Sequence, residues 1–399
     1  MKSDLRILVS GAGIGGLACT LALHAQGHEP VIVEQASELR EVGAGVQLSA
    51  NATRVLFGLG LEERLMADAV EAQGKEIRLW NTGQTWPLFD LGAESRARHG
   101  FPYLMMHRAD LHAALADAVR ERLPGAIRLG FRTTRVEEAA GQVVIEAADG
   151  RRIEADALIG ADGVHSPVRE ALHGADRARF SGFVAWRAVI PMARLPAHMR
   201  RSVGVNWVGP GAHVINYPLR RGTLFNFVGI VERAGWEVER WTEPGDRDEC
   251  LRDFAGWHPD VRCIIDAAPS LYKWALMIRE PLGEWGRGRT TLLGDAAHPT
   301  LPFLAQGAAM AIEDAAVLGN ALGASDGNVE AALRAYEAAR RERCARIVRG
   351  SAENARRFHD RTLENAEQAQ AYVEREWAPE LVRARYEWLF AYDATRYGI

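Results

Sequence analysis

The chain has few cysteines: Cys19, Cys250, Cys263 and Cys344 in 399 residues form no CxxC pair and no zinc-ligand spacing. Neither a disulfide framework nor a metal site is expected, and the thiols are read as reduced and structural. Basic residues are not in excess, since 48 Lys and Arg stand against 52 Asp and Glu for a net charge of −4. That balance argues against nucleic acid as a partner and leaves no polybasic tail for an anionic membrane. No uncharged apolar run reaches 18 residues, and the opening MKSDLRILVS passes straight into a glycine-rich segment without an apolar signal core. A cytoplasmic chain with no stable membrane association is expected. Repeats and low-complexity linkers are also missing, so the 48% hydrophobic content serves the cores of about two ordinary domains.

What is present begins at Leu5–Val9, a short apolar run that ends in GAGIGG, residues 11–16. A helical pattern from Leu17 to Ala25 is closed by Gly27, and a second apolar run, Val31–Val33, ends at Glu34. The order is strand, helix, strand, with Gly11, Gly13 and Gly16 in the first turn. Glycine there permits a tight turn, lets a pyrophosphate approach the backbone and lets helix and strand pack closely, while the helix N-terminus offers free N–H groups. Glu34 is placed to accept from a ribose hydroxyl, and its charge disfavours a 2′-phosphate at that point. These features point to a dinucleotide, and they leave NAD and FAD undivided because both carry an ADP half.

Two later stretches repeat a strand ending in an acid. DALIGADGVHSPVR, 156–169, closes its strand at Asp162-Gly163 ahead of a helical start at Ser166 and Arg169. LLGDAAHPTLPFLAQGAAMAIEDA, 292–315, closes its strand at Gly294-Asp295 and opens a helix at Gly307. With GAGIGG, Glu34 and GDAAHP in this order, the chain resembles the single-component FAD-dependent aromatic hydroxylases with the para-hydroxybenzoate hydroxylase fold, over almost its whole length. It is most similar to the salicylate hydroxylase, 3-hydroxybenzoate 6-hydroxylase and 6-hydroxynicotinate 3-monooxygenase types. The resemblance implies an α/β fold: a Rossmann-like FAD-binding domain (1–71, 101–175 and 281–325), an interleaved β-sheet substrate domain (72–100 and 176–280) and a C-terminal helical segment (326–399). It implies that the first motif holds the ADP half of FAD, that Asp162 lies near the pyrophosphate and the path of the nicotinamide co-substrate, and that Asp295 contacts the ribityl chain. Arg108, in MMHRADLHAAL, matches the arginine beside the flavin. The segment from Asp295 through Pro299 to Gln306, Gly307 and Ala308 should line the isoalloxazine ring, its prolines stiffening the connection. The helix N-terminus there carries partial positive charge suited to the anion of reduced flavin.

For the substrate side, His213, Ile215 and Tyr217 alternate onto one face of a strand that turns at Arg220–Thr223. This H-x-x-x-Y matches the pair found in the 3-hydroxybenzoate and 6-hydroxynicotinate enzymes, which implies His213 as the base that takes a phenolic proton and Tyr217 as a substrate contact. An unperturbed imidazole is suited to that step near neutral pH. Gln47, in GAGVQLSAN, matches a flavin-side and substrate-side glutamine, and a plain loop amide is its structural alternative. Pro302 stands where some 3-hydroxybenzoate hydroxylases carry glutamine, a departure that leaves the substrate open. The implied activity is hydroxylation of a small phenolic or hydroxy-heteroaromatic acid with O2 and NADH or NADPH, NADH being favoured, by way of a flavin hydroperoxide. Two other readings stay open: a flavin-dependent reductase or dehydrogenase, and a non-catalytic dinucleotide-binding sensor. Charged helical patterns in 329–358 read as a solvated cap on a monomer or homodimer, with the aromatics Trp377, Trp388 and Phe390 serving either a dimer contact or the core.

Overall fold

The apolar runs at 7–10, 31–33 and 157–160 lie side by side, as runs buried on both faces should. The structure, a computed structural model, describes residues 5–39, 44–139, 141–176, 178–235 and 243–397. Its five-stranded parallel sheet runs in the order Thr290–Leu292, Ala157–Gly160, Ile7–Ser10, Val31–Val33, Ile127–Arg128. Helix Ile14–Ala25 leaves the first of these strands through the glycine turn and packs against helix Gly307–Gly323. The Gly and Ala content of both helices is a packing requirement. A Cβ on Gly319 would stand 3.0 Å from the Ala22 carbonyl oxygen, and one on Gly15 would stand 2.8 Å from the Leu293 side chain and 3.1 Å from that of Ala311.

The second large element is an eight-stranded mixed sheet in the order Pro244–Gly245, Leu271–Ile278, Arg179–Pro191, Leu224–Glu232, Ala212–Leu219, Val203–Gly209, Gly74–Leu79, Thr85–Asp90. All neighbours are antiparallel except Val203–Gly209 and Gly74–Leu79. One face of this sheet builds a separate apolar core with helix Pro259–Ala267, around Trp186, Phe227 and Ile264. The opposite face turns toward the parallel sheet, so a mixed α/β architecture places a wall of antiparallel strands beside a nucleotide-type turn.

Helix Val329–Phe358 is not the solvated cap that its charges suggest, because Tyr336, Arg340, Cys344 and Phe358 on it are buried. Arg340 enters the core to meet two acids that are themselves fully buried on helix Gly307–Gly323. Its Nε donates to Asp314 Oδ1 at 2.7 Å and its Nη2 pairs with Glu313 Oε2 at 2.7 Å, while Arg343 reaches Glu313 Oε1 at 2.7 Å. His298 completes the cluster, with Nε2 2.6 Å from Asp314 Oδ2. Burial alone would raise the Asp314 pKa, yet the charges of His298 and Arg340 hold it at about 2. Burial opposes charge on His298 too, and Cys344 and Asp314 nevertheless keep its pKa well above the ordinary value. His298, Asp314 and Cys344 offer donor atoms within 4.8 Å of one another, but the Arg340 guanidinium bonds both Asp314 and Cys344 and supplies the positive charge that a metal would bring. Trp377 and Phe390 are buried, and Trp388 lies half-buried under Arg346, so this aromatic group belongs largely to the core.

Candidate active site

A cavity of about 310 Å³ runs from the glycine turn to the eight-stranded sheet. At one end it is bounded by Gly13, Gly15, Asp295, Gly307 and Ala308, and at the other by Gln47, Arg187, Ile215, Tyr217 and Trp274. Within the first end, Gly13 and Asp295 are 282 residues apart in sequence, and the two sheets bring that end face to face with the other.

The glycine turn is shaped by backbone demands. Gly11 has φ of +104°, and a Cβ there would stand 2.5 Å from the Ala161 carbonyl oxygen, while a Cβ on Gly16 would collide with the Gly11 carbonyl. A Cβ on Gly13 would meet nothing within 4 Å, for it points into the cavity. Among the described residues nothing requires glycine at 13, which leaves the requirement to a ligand. The Glu34 carboxylate accepts from the backbone N–H groups of Ala12 and Ala36, both at 2.9 Å, and keeps a lone pair on each oxygen for a hydroxyl. His112, one turn after Arg108 on helix Arg108–Arg122, lies with Nε2 2.7 Å from the Ala12 carbonyl oxygen and pins the same turn. Sequence reading missed His112; its signal was the four-residue spacing from Arg108.

Asp162 closes the strand beside this turn. Its Oδ2 lies 3.3 Å from the Val168 N–H and 3.4 Å from the Ser10 hydroxyl, and its buried Oδ1 meets no hydrogen-bond partner among the described residues. Burial pushes its pKa up to about 6, against the Ser166 hydroxyl and backbone N–H groups that favour the anion. Asp295 is exposed at the cavity, held there by the buried His298–Asp314 pair and by the Gly294 N–H, which donates to Asp314 at 3.1 Å.

Downstream, the placements divide. Thr300, Pro302, Ala305, Gly307 and Ala308 line the cavity, whereas Pro299 does not. The Gln306 side chain turns inward, donating to Ser49 Oγ at 2.9 Å and accepting from Asn51 at 3.0 Å, so only its backbone faces the helix start. Among the described residues no side chain caps helix Gly307–Gly323. Its first turn therefore presents backbone N–H groups toward the cavity.

On the sheet side, Tyr217 is buried with its hydroxyl hydrogen-bonded to Gln47, whose Oε1 also accepts from Tyr103 at 2.8 Å. Burial raises the Tyr217 pKa, Gln47 opposing. Gly45 makes room for that hydroxyl, since a Cβ would stand 2.5 Å from it. His213 shares the face of Ile215 and Tyr217 and pairs across strands with Ile230, a cavity residue, but itself lies one position beyond the lining, against Phe303. Arg187 is a second residue that sequence reading overlooked. It is a nearly fully buried arginine in the apolar strand FVAWRAVI, lies on the cavity wall, and carries Tyr272 and Trp274 rings at 5.1 and 5.7 Å. Burial lowers its pKa to about 10, with Arg108 adding to the effect and Tyr272 opposing it.

Residues 4–351 match the family model described as an FAD binding domain. The chain belongs to this family. It is 38% identical to a 3-amino-4-hydroxybenzoate 2-monooxygenase of Streptomyces platensis, with 98% of this chain and 97% of the relative covered. It is 37% identical to a 3-hydroxybenzoate 6-hydroxylase of Polaromonas naphthalenivorans, again over 98% and 97%. Among solved structures, HpxO of Klebsiella pneumoniae complexed with FAD and uric acid is similar at a TM-score of 0.83 and 29% identity, covering 96% of this chain and 97% of that one.

The residues present fit FAD. An open space at Gly13 and an uncapped helix start at Gly307 border one elongated cavity, and Asp162, whose Oδ1 lacks a hydrogen-bond partner among the described residues, lies just behind its wall between the lining residues Ala161 and Gly163; together they offer what a pyrophosphate, a polyol and an anionic ring edge need. As a member of the family the protein is a flavoprotein. Among the described residues no helix is long and apolar enough to cross a membrane.

Proposed function

We propose that the protein is an FAD-dependent monooxygenase that uses NAD(P)H, NADH by preference, and O2 to hydroxylate a small phenolic or hydroxy-heteroaromatic acid of the hydroxybenzoate kind. The observation that carries this reading is the single cavity that joins the glycine turn to a wall bearing Tyr217, Gln47 and Arg187. Bound FAD would supply electron transfer and oxygen activation; the chain's own residues do the rest.

Gly11, Gly13, Gly16 and Glu34 would hold the ADP half, Asp162 and Arg108 would flank the middle of the cofactor, and Asp295 would meet the ribityl chain. The Gly307–Ala308 turn would face the ring edge where negative charge develops, with fixed N–H dipoles that need no reorganisation. The cofactor is thereby assigned to 1–71, 101–175 and 281–325, and the substrate to 72–100 and 176–280. Arg187 and Arg108 place two positive charges at one cavity, which suits an organic anion such as a carboxylate. Tyr217 orients the ring through its hydroxyl. His213 takes the phenolic proton, which raises the electron density of the ring before oxygen transfer.

The test is a panel of hydroxybenzoates and hydroxynicotinates incubated with purified, FAD-loaded protein and NADH. Substrate-stimulated NADH oxidation, matched by O2 uptake and a product heavier by one oxygen, is the expected result. Reduction of a substrate without O2 uptake would make the protein a reductase, and absence of turnover across the panel would remove the hydroxylase reading.

A further inference from the structure

We propose that His213, His359 and Glu232 form a proton relay to solvent from the position just beyond the cavity lining. The proposal rests on the reading of His213 as the base and deepens it by saying where the proton goes.

Three segments meet at this relay. His213 lies on strand Ala212–Leu219, Glu232 ends strand Leu224–Glu232, and His359 caps the C-terminus of helix Val329–Phe358. His213 Nδ1 is 2.6 Å from His359 Nε2, and His359 Nδ1 is 3.2 Å from Glu232 Oε1. The His359 carbonyl accepts from the Gly211 N–H at 3.0 Å, which clamps the helix end to the hairpin that carries His213. Phe303 and Phe358 each lie 5.1 Å from the His213 ring, and Phe183 lies 5.3 Å from the His359 ring, so the two imidazoles run through an aromatic sleeve. The far end is wet: the Glu232 side chain is 43% exposed and pairs with Arg361 at 3.4 Å.

The tautomers follow from the partners. An ionised Glu232 can only accept, so His359 must carry its proton on Nδ1 and present a bare Nε2. His213 must then donate Nδ1–H to that nitrogen, which leaves His213 Nε2 as a bare lone pair. That atom is buried and has no hydrogen-bond partner among the described residues. The chain of bonds thus prepares a proton acceptor on the pocket face of the sheet, beside Ile230. Burial, with His359 adding to it, holds His213 neutral at physiological pH. Burial also lowers the His359 pKa, with Glu232 pulling the other way and Arg361 adding to the lowering. His359, Glu232 and Arg361 are the charged or titratable groups that bear on the pair.

In the relay the phenol O–H bond breaks and Nε2–H forms on His213. The His213 Nδ1 proton passes to His359 Nε2, the His359 Nδ1 proton passes to the Glu232 carboxylate, and Glu232 releases it to water. The sum is phenol to phenolate plus one solvent proton, with no buried imidazolium left behind. Protonation of the product phenolate runs the same steps in reverse and resets both tautomers.

The experiment uses the FAD-loaded enzyme without nicotinamide, so that no turnover occurs, and a phenolic acid from the panel that the wild type hydroxylates. Stopped-flow absorbance reads phenolate formation, and a pH indicator reads proton release. Wild type should show the two in step. Glu232→Gln and His359→Gln should slow both by about 10-fold or more, with FAD content and substrate affinity retained and with Glu232→Asp restoring the rate. Glu232 is half-exposed, so its variants report even if His359→Gln folds poorly. Wild-type rates in Glu232→Gln and His359→Gln, beside a slow His213→Ala, would overturn the relay and leave the base. Wild-type phenolate formation in His213→Ala would overturn the base and the relay together.

Discussion

The two ends of the cavity are built by different chemistry. The cofactor end is made of backbone: positive φ at Gly11, open space at Gly13, and a helix start without a side-chain cap at Gly307. The substrate end is made of side chains, Gln47, Arg187, Tyr217 and Trp274, that come from four strands and two distant parts of the chain. A backbone site tolerates almost no addition of atoms, whereas a side-chain site tolerates exchange and changes its preference. Substitutions at the two ends should therefore fail differently, by loss of the cofactor at one and by loss of coupling or affinity at the other.

The largest effect is expected at Gly13. A Cβ at position 13 would meet nothing within 4 Å among the described residues, so Gly13→Val should keep its fold and melting cooperativity while losing the space a pyrophosphate needs. Wild type should be yellow and release FAD on denaturation, and the variant should be colourless. Stoichiometric FAD in Gly13→Val would show that the cofactor lies elsewhere. At the other end His213→Ala should retain FAD and flavin reduction but lose hydroxylation by about 10²–10⁴ in rate, with NADH consumption appearing as hydrogen peroxide. The ratio of product to NADH oxidised, followed from pH 6 to 9, checks this. Since burial keeps His213 neutral, wild-type coupling should be flat over that range. Wild-type coupling in His213→Ala would make the histidine structural.

The same contrast explains what could be read from the sequence. Strand, glycine turn, helix and Glu34 were legible because backbone geometry restricts residue type and keeps its partners close in sequence. The direction of Gln306 was not legible: its amide is claimed by Ser49 and Asn51, more than 250 residues earlier, and no local pattern announces that. Arg187 was hidden for a related reason, since one arginine in an apolar strand looks the same whether it faces solvent, an acid or a cavity. The buried acids Glu313 and Asp314 sit in a helix whose Ala-rich pattern suggests only packing, and the arginine that answers them, Arg340, looked like one more charge on a solvated helix.

That buried cluster gives a test of stability with no direct change to either end of the cavity. Arg340→Met leaves Glu313 and Asp314 short of a cation, and breaking a buried pair of this kind costs about 3–5 kcal/mol. Denaturant midpoints compare the two proteins. The pH dependence has a definite sign. Asp314 has a folded pKa of about 2, below its unfolded value, so its contribution is present above pH 4 or so and is lost as pH falls toward about 2. His298 is raised, so its contribution is present below its unfolded pKa of about 6.5 and is lost only as pH rises through its much higher folded value. Arg340→Met should flatten the acid limb, because Asp314 then loses one of the two charges that depress it. An unchanged acid limb would mean that His298 alone sets the Asp314 pKa.

The smallest of these effects is expected at Arg187, where the comparison between the two ends is sharpest. If this guanidinium faces the carboxylate of the substrate, Arg187→Met removes one charge-assisted hydrogen-bonding partner and leaves the cofactor end untouched. Hydrogen bonds to charged groups contribute about 1.5–3 kcal/mol, so affinity for a hydroxybenzoate should fall by roughly 10- to 100-fold. Affinity for the corresponding primary amide, which carries no charge, should change far less. Arg187→Lys keeps a charge but not the planar fork, and should fall between the two. Substrate titration of the oxidised flavin spectrum reads affinity directly and separates it from turnover. An equal loss for acid and amide would mean that Arg187 supports the Tyr272 and Trp274 rings as packing rather than as a charge. In that case the carboxylate is met by Arg108, and the two arginines would exchange roles across the same cavity.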